Sequence, residues 1–226
     1  MPMTSLLPAG RSSAESPATE ETLLPHLEAG GLALFTDPAS DQAMMFCAAR
    51  NVTAGAINQM ALHARGLVSL ALSSDTVARL GLPMQPVRHR NAAWGQTVSI
   101  EASEGITTGI SAAERAHTIR TATAADARPE DIVSPGHVFP VSVGPNGLNR
   151  QAAGNVLSHL DAVLQLVRMA GAGDGAVISQ VLGPDGNLAT VEEAMLLAGS
   201  HDWPTIDEAE MRRCYKPQCL RPVDIG

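Results

Sequence analysis

Three short stretches of this chain carry residue types and spacings that could do chemistry. Gly105-Ile-Thr-Thr-Gly109 is a polar loop, and Ser111 follows with Glu114 three residues on, the spacing of a capping box. Thr107, Thr108 and Ser111 offer hydroxyls and amides that either satisfy a helix N-terminus or meet a polar ligand. Glu114 and Arg115 could do no more than cap and pair at the start of that helix. His137, inside Pro135-Gly-His-Val-Phe-Pro140, brings an imidazole able to move protons near neutral pH, although a loop histidine is ordinarily structural or solvent-facing. Other chemistries find no support. Cys214 and Cys219 are spaced C-x4-C with no His or second Cys pair to complete a zinc site, so no metal is assigned. GAGDGA, Gly171 to Ala176, follows a helix and precedes a strand, the reverse of a dinucleotide loop. No G-x-S-x-G elbow and no C-x-x-C pair is present.

These residues need elements to hold them. Residues 1–19 lack periodicity and predict a disordered arm; residues 20–213 predict one domain, and 214–226 a tail. Leu23, Leu24 and Leu27 predict a short helix closed at Gly30-Gly31. Strands are expected at Leu32 to Phe35, Met44 to Ala49, Leu67 to Leu72, Thr97 to Glu101 and Ala176 to Leu182. Helices are expected after the caps Thr53 and Ser111, from Asp75 to Leu80, from about Asn155 to Ala170, and at Thr190 to Gly199 and Ile206 to Arg212. His137 falls on a loop in this reading. His117 and His159 read as surface histidines, Arg120 as an ion-pair or interface residue, and Asp37 and Asp41 as turn residues. Strands and helices alternate irregularly and several strands adjoin without a helix, which predicts an α+β fold.

Composition limits the partners. Of 226 residues, 45% are apolar and 17% charged, enough for a full core, but with 3% aromatics it must be built from Ala, Val, Leu, Ile and Met. A formal charge of −8 argues against nucleic acid and anionic membrane surfaces. No apolar run reaches the roughly 18–20 residues needed to cross a bilayer. The N-terminus lacks the basic-then-apolar order of a signal peptide, so a cytoplasmic protein is expected. Cys47 reads as a small core residue.

Three segments together resemble the 3,4-dihydroxy-2-butanone 4-phosphate synthase family. They are VTAGAINQMALHARGLVSLALSSDTVARLGLP (Val52 to Pro83), TVSIEASEGITTGISAAERAHTIR (Thr97 to Arg120) and DIVSPGHVFPV (Asp131 to Val141), with weaker likeness through Gly175 to Ala189 and Leu196 to Arg213. The resemblance implies a three-layer α+β fold with a mixed β-sheet between helical layers, and a homodimer with sites near the subunit contact. It implies conversion of ribulose 5-phosphate to dihydroxybutanone phosphate and formate with Mg²⁺, a step of riboflavin synthesis. Enolisation, dehydration, rearrangement and loss of C4 all need positioned acid/base groups. On this resemblance His137 and Glu114 are the catalytic candidates, Glu114 standing where the family usually has Asp. Thr107, Thr108, Ser111 and Arg115 become candidate substrate ligands.

Departures from the family pattern are as informative. The family's acidic loop, approximately D-D-E-D-R-E-N-E-G-D, reads T-D-P-A-S-D-Q-A-M-M at Thr36 to Met45. Its R-x-G-H-T-E-A motif is set against A-A-G-N-V-L-S at Ala152 to Ser158, which places Asn155 at the histidine, with Arg150 two residues upstream of this stretch as a substitute phosphate contact. Gln180 replaces a glutamate and cannot act as a base, and Ser69 replaces a cysteine. On this register the metal ligands are missing, so no cofactor is expected, with Mg²⁺ only for a genuine synthase. Three readings follow in order. The first is a divergent lyase- or isomerase-type enzyme on a small oxygenated metabolite of specialised metabolism, using Arg150, Asn155 and Gln180 as substrate ligands. The second is a genuine synthase whose site is out of register here. The third is an inactive paralogue that binds a ligand or partner.

Overall fold

The computed structural model describes residues 20–86, 95–144 and 159–214. In chain order the elements are α1 (Glu20–Glu28), β1 (Ala33–Asp37), β2 (Gln42–Ala48), α2 (Ala54–Gln59), β3 (Ser69–Ser73), α3 (Ser74–Arg79), β4 (Gly95–Gln96) and β5 (Ile100–Ala102). There follow α4 (Ala112–Thr123), β6 (Ile132–Val143), α5 (His159–Met169), β7 (Gly175–Gln180), α6 (Val191–Ser200), β8 (Thr205–Asp207) and α7 (Glu208–Cys214). The strands form one mixed sheet in the order β4-β6-β3-β7-β2-β1-β8, with β5 added on β6. The pairs β3/β6 and β1/β8 are parallel; the other pairs are antiparallel.

Side-chain alternation along the strands gives the sheet two apolar faces. Leu34, Met45, Leu70, Leu72 and Val177 point to one face, where Ile57 and Met60 around α2, Ala116 and Ile119 of α4, and Ala194 and Ala198 of α6 cover them. Phe35, Met44, Phe46, Ala71 and Ile178 point to the other, under Leu23 and Leu27 of α1, Leu160, Val163, Leu164 and Val167 of α5, and Met211 of α7. The result is a three-layer α+β arrangement. Aliphatic residues fill most of it, as the scarcity of aromatics requires, and only Phe35 and Phe46 of the largest buried side chains are aromatic.

Local signals start the helices where the chain needs them. Thr53 Oγ1 accepts from Ala56 N at 3.1 Å, and Ser73 Oγ accepts from Thr76 N at 3.1 Å. Thr190 and Glu193 cap α6 reciprocally, the Thr190 amide donating to Glu193 Oε2 at 2.9 Å and the Glu193 amide to Thr190 Oγ1 at 3.2 Å. After Gln59 the helix widens to a π-turn over Met60–Ala64 and ends at Arg65 with φ 62°. The Ala64 carbonyl there accepts from Leu182 N at 2.8 Å, tying the turn to the end of β7.

Two expectations from sequence are corrected. The helix expected from Ile206 begins later, because Thr205–Asp207 pairs in parallel with β1 as β8. Its start signal is Asp207, whose Oδ1 accepts from Glu210 N at 2.6 Å while Glu210 Oε2 accepts from Asp207 N at 2.9 Å. The Pro-Gly-His-Val-Phe-Pro stretch is not a free loop but part of β6, a strand of 12 residues. Its prolines concealed the strand: Pro135 falls in an irregularity of the ladder facing β5, and Pro140 pairs in register with Leu70 of β3.

Candidate active site

Strand directions collect the candidate residues along one edge of the sheet. Phe35, Met44 and Gln180 lie in one row across β1, β2 and β7, and Ile178, Ser69 and Phe139 lie in another across β7, β3 and β6. Asp37 lies two residues past the first row, at the end of β1. His137 lies two residues past the second, toward the same edge. Asp37, Ser69 and Gln180 share the strand parity of Phe35, Ala71 and Ile178, so they belong to the face that carries α5.

Over the other face, the threonine loop is bound to the start of α4 by one carboxylate. Thr107 N and Thr107 Oγ1 both donate to Glu114 Oε1 at 2.6 Å. Ser111 Oγ donates to Glu114 Oε2 at 2.9 Å and accepts from Glu114 N at 3.1 Å. The two hydrogen bonds from Thr107 are the largest effects, and with those from Ser111 they outweigh the opposing desolvation and hold the Glu114 carboxyl at about 2. His117, expected at the surface, is half-buried and donates from Nε2 to the Glu104 carbonyl at 3.0 Å, fixing the other end of this loop. Thr108 is exposed at the loop's tip. Arg120 donates to the Val52 carbonyl at 2.8 Å and so joins α4 to the start of α2.

His137 meets Glu101 of β5: its Nδ1 lies in a short hydrogen bond with Glu101 Oε1. The imidazole side chain is 45% exposed and the carboxylate 16%, so the ring reaches outward from a covered partner. Sequence reasoning passed over Glu101. Its signal was the alternation of Thr97 to Glu101 next to the threonine loop, which made it a strand residue beside the site.

At the end of β1, Asp37 and His159 pair across the molecule. His159 Nε2 donates to Asp37 Oδ2 at 2.8 Å. Ser40 Oγ donates to the same oxygen, and Ala39 N donates to Oδ1 at 3.0 Å. Burial pushes the Asp37 carboxyl up, but the bonds from Ser40, His159 and Ala39 together bring it below the ordinary carboxylate value. The His159 ring lies 5.5 Å from that of Phe35, and its side chain is 26% exposed, so it is not the surface residue expected from sequence. Asp41 is elsewhere: at φ 51° it turns its Oδ1 to accept from Val191 N at 2.8 Å, at the start of α6.

Among the described residues, two buried side-chain polar atoms have no hydrogen-bond partner: Arg115 Nε and Gln180 Oε1. Buried polar atoms are normally satisfied, and leaving one bare costs about 1–3 kcal/mol. Burial also pulls the Arg115 guanidinium below its ordinary value. One atom offers a donor and the other an acceptor. Arg150 and Asn155 lie outside the described residues.

The arrangement has an exposed imidazole backed by a carboxylate, a hydroxyl-bearing loop, an aspartate–histidine pair and two unmatched polar atoms. It can move protons on a small, oxygen-rich molecule. Known proteins agree with that frame. The family model for 3,4-dihydroxy-2-butanone 4-phosphate synthase matches residues 21–214. A protein of that name from Neisseria meningitidis serogroup B is 42% identical over 183 residues, 79% of this chain and 49% of the relative. The crystal structure of a two-domain 3,4-dihydroxy-2-butanone 4-phosphate synthase from A. baumannii superposes with a TM-score of 0.76 at 36% identity, covering 86% of this chain and 56% of that one. A further structure, of a synthase in complex with two magnesium ions, gives a TM-score of 0.72 at 27% identity and covers 86% of this chain and 94% of its own. The chain thus spans about half the length of the Neisseria and A. baumannii proteins. With the motifs and these likenesses in agreement, the chain belongs to the 3,4-dihydroxy-2-butanone 4-phosphate synthase family.

Proposed function

We propose that this chain converts ribulose 5-phosphate to 3,4-dihydroxy-2-butanone 4-phosphate and formate, the riboflavin-pathway reaction ranked second on sequence. One observation carries the change: a carboxylate and an imidazole that the sequence register counted as lost stand together as Asp37 and His159. His159-Leu-Asp161-Ala162 keeps the histidine, the acid two residues on and the alanine three residues on of the family's H-T-E-A. His159, not Asn155, is the counterpart of the family's histidine in this reading.

The pair fits a sparse magnesium site. Mg²⁺ uses one or two carboxylates and takes its remaining oxygens from substrate and water. Asp37 supplies one carboxylate, already ionised below the usual range, and His159 one nitrogen; no group of three His, Cys, Asp or Glu forms among the described residues. When bound, the ion would supply positive charge to oxyanions developing on the substrate.

The chain's own residues divide the remaining work. His137 takes and returns the protons of enolisation and dehydration through its exposed ring. Thr108 and the backbone of the threonine loop bind substrate hydroxyls, while Glu114 and Ser111 hold Thr107 in place. Because Glu114 stays ionised down to about 2, it serves as a clamp on this loop and not as the proton-transfer residue expected from sequence. Arg115 Nε and Gln180 Oε1 gain partners from the substrate. Every atom of ribulose 5-phosphate is recovered in the two products, so no oxidant or reductant enters. Ile110, 58% exposed beside the threonine loop, supports a homodimer with sites near the contact, and a cytoplasmic location goes with this pathway. Among the described residues no helix is long and apolar enough to cross a membrane.

Gln180 favours a second reading, in which the same proton transfers act on an unphosphorylated metabolite, because an amide cannot be a base. An NMR time course with ribulose 5-phosphate and Mg²⁺ separates the two. Formate that depends on His137 and His159 supports the synthase. Folded protein that releases none, even as Gln180→Glu, overturns it and leaves the second reading.

A further inference from the structure

We infer that Glu101 is the positioning residue of this site: its carboxylate holds His137 as the Nδ1–H tautomer and leaves Nε2 as the atom that meets substrate. A carboxylate at this contact accepts, so Nδ1 carries the proton and donates to Glu101 Oε1. Which imidazole nitrogen is free for chemistry is set by the bond the other one makes. Here the bonded nitrogen faces a covered carboxylate while the ring is 45% exposed, so Nε2 is the nitrogen left for a ligand.

Three backbone features build this contact. The pairing of β5 with β6 passes from Ile100↔Val138 directly to Glu101↔Val133, so residues 134–137 bulge out of the ladder and carry His137 with them. Gly136 makes the bulge tight: a Cβ there would run into the Ile100 carbonyl and approach Glu101 Cγ to 2.5 Å, and its amide donates to Ser99 Oγ at 3.1 Å. Gly109, at φ +75°, closes the threonine loop over the pair, where a Cβ would collide with the Glu101 carboxylate and come within 2.9 Å of His137 Nδ1. Strand, bulge and substrate loop therefore all meet at one carboxylate. A simple surface ion pair needs none of this.

The test uses Glu101→Gln in the full-length chain and has a readout that does not need substrate. Imidazole ¹⁵N correlation spectra should show His137 as one Nδ1–H tautomer in the unmodified protein, and lose that preference in the variant. In the formate assay, which rests on the synthase reading, kcat should fall about 100-fold or more with KM changed less than about threefold, and Glu101→Asp should recover part of the loss. A variant that keeps both the tautomer and kcat overturns the inference. If Glu101→Gln does not fold, Gly109→Ala replaces it: displacing the His137 resonances without altering any charge supports the inference, and leaving them unchanged overturns it. Absence of formate from the unmodified protein counts against the synthase reading alone, because the spectra still decide the role of Glu101.

Discussion

Asp37 and His159, 122 residues apart in the chain, share a hydrogen bond of 2.8 Å at the sheet edge that also carries His137 and Gln180. If this pair receives the divalent ion, Asp37→Asn and His159→Ala should each raise the Mg²⁺ concentration for half-maximal formate release about 10-fold or more. A magnesium titration followed by thermal shift gives the same answer without substrate. Variants that respond to Mg²⁺ like the unmodified protein would remove the pair from the metal site.

His137→Ala should slow proton transfer without unfolding the chain. Loss of a general acid/base costs about 10²–10⁴ in rate. The side chain is 45% exposed, so the melting temperature should move little. Comparable formate release by the variant would place proton transfer on another group.

Acid should release the threonine loop. The folded Glu114 carboxyl lies at about 2 against an ordinary value of 4.5, so folding favours its ionised form. That contribution is complete above about 4.5 and fades as pH falls toward about 2. Asp37, also lowered, acts in the same direction. Glu114→Gln should therefore be less stable than the unmodified protein at pH 7, with the gap closing between pH 4.5 and 2 in urea titrations. A gap independent of pH would show that the carboxylate's charge does not hold the loop.

Leu164 tests the layer behind the Asp37–His159 pair. It is 1% exposed on the inner face of α5, against the sheet side of Phe35 and Ile178. Leu164→Ala should cost about 2–5 kcal/mol, lowering the melting temperature by about 4–20 °C for a chain of this size. A smaller loss would mean that the helix settles into the cavity.

What the sequence disclosed and withheld has physical causes. The Ser111–Glu114 box and the Thr53 cap act within one turn, and both are legible as residue spacing. Apolar alternation gave the central strands for the same reason. Glu101 was missed because its meaning comes from a bulge in a neighbouring strand, 36 residues away. The Asp37–His159 contact joins residues 122 positions apart, so no local spacing announces it, and His159 reads as a surface residue until the fold brings it to β1. The strand Thr205–Asp207 shows no period of its own and exists through β1.

The sheet order also constrains how the chain can be made. The strand at 175–180 inserts between those at 42–48 and 69–73, which come more than 100 residues earlier in synthesis. Until it emerges from the ribosome, Met44 to Ala48 and Ser69 to Leu72 lack their shared partner and present unpaired apolar edges. Such edges are where growing chains join one another. Yield in the cell should therefore be limited by how quickly the last third of the chain follows the first, and chaperones that shield nascent strands should raise it.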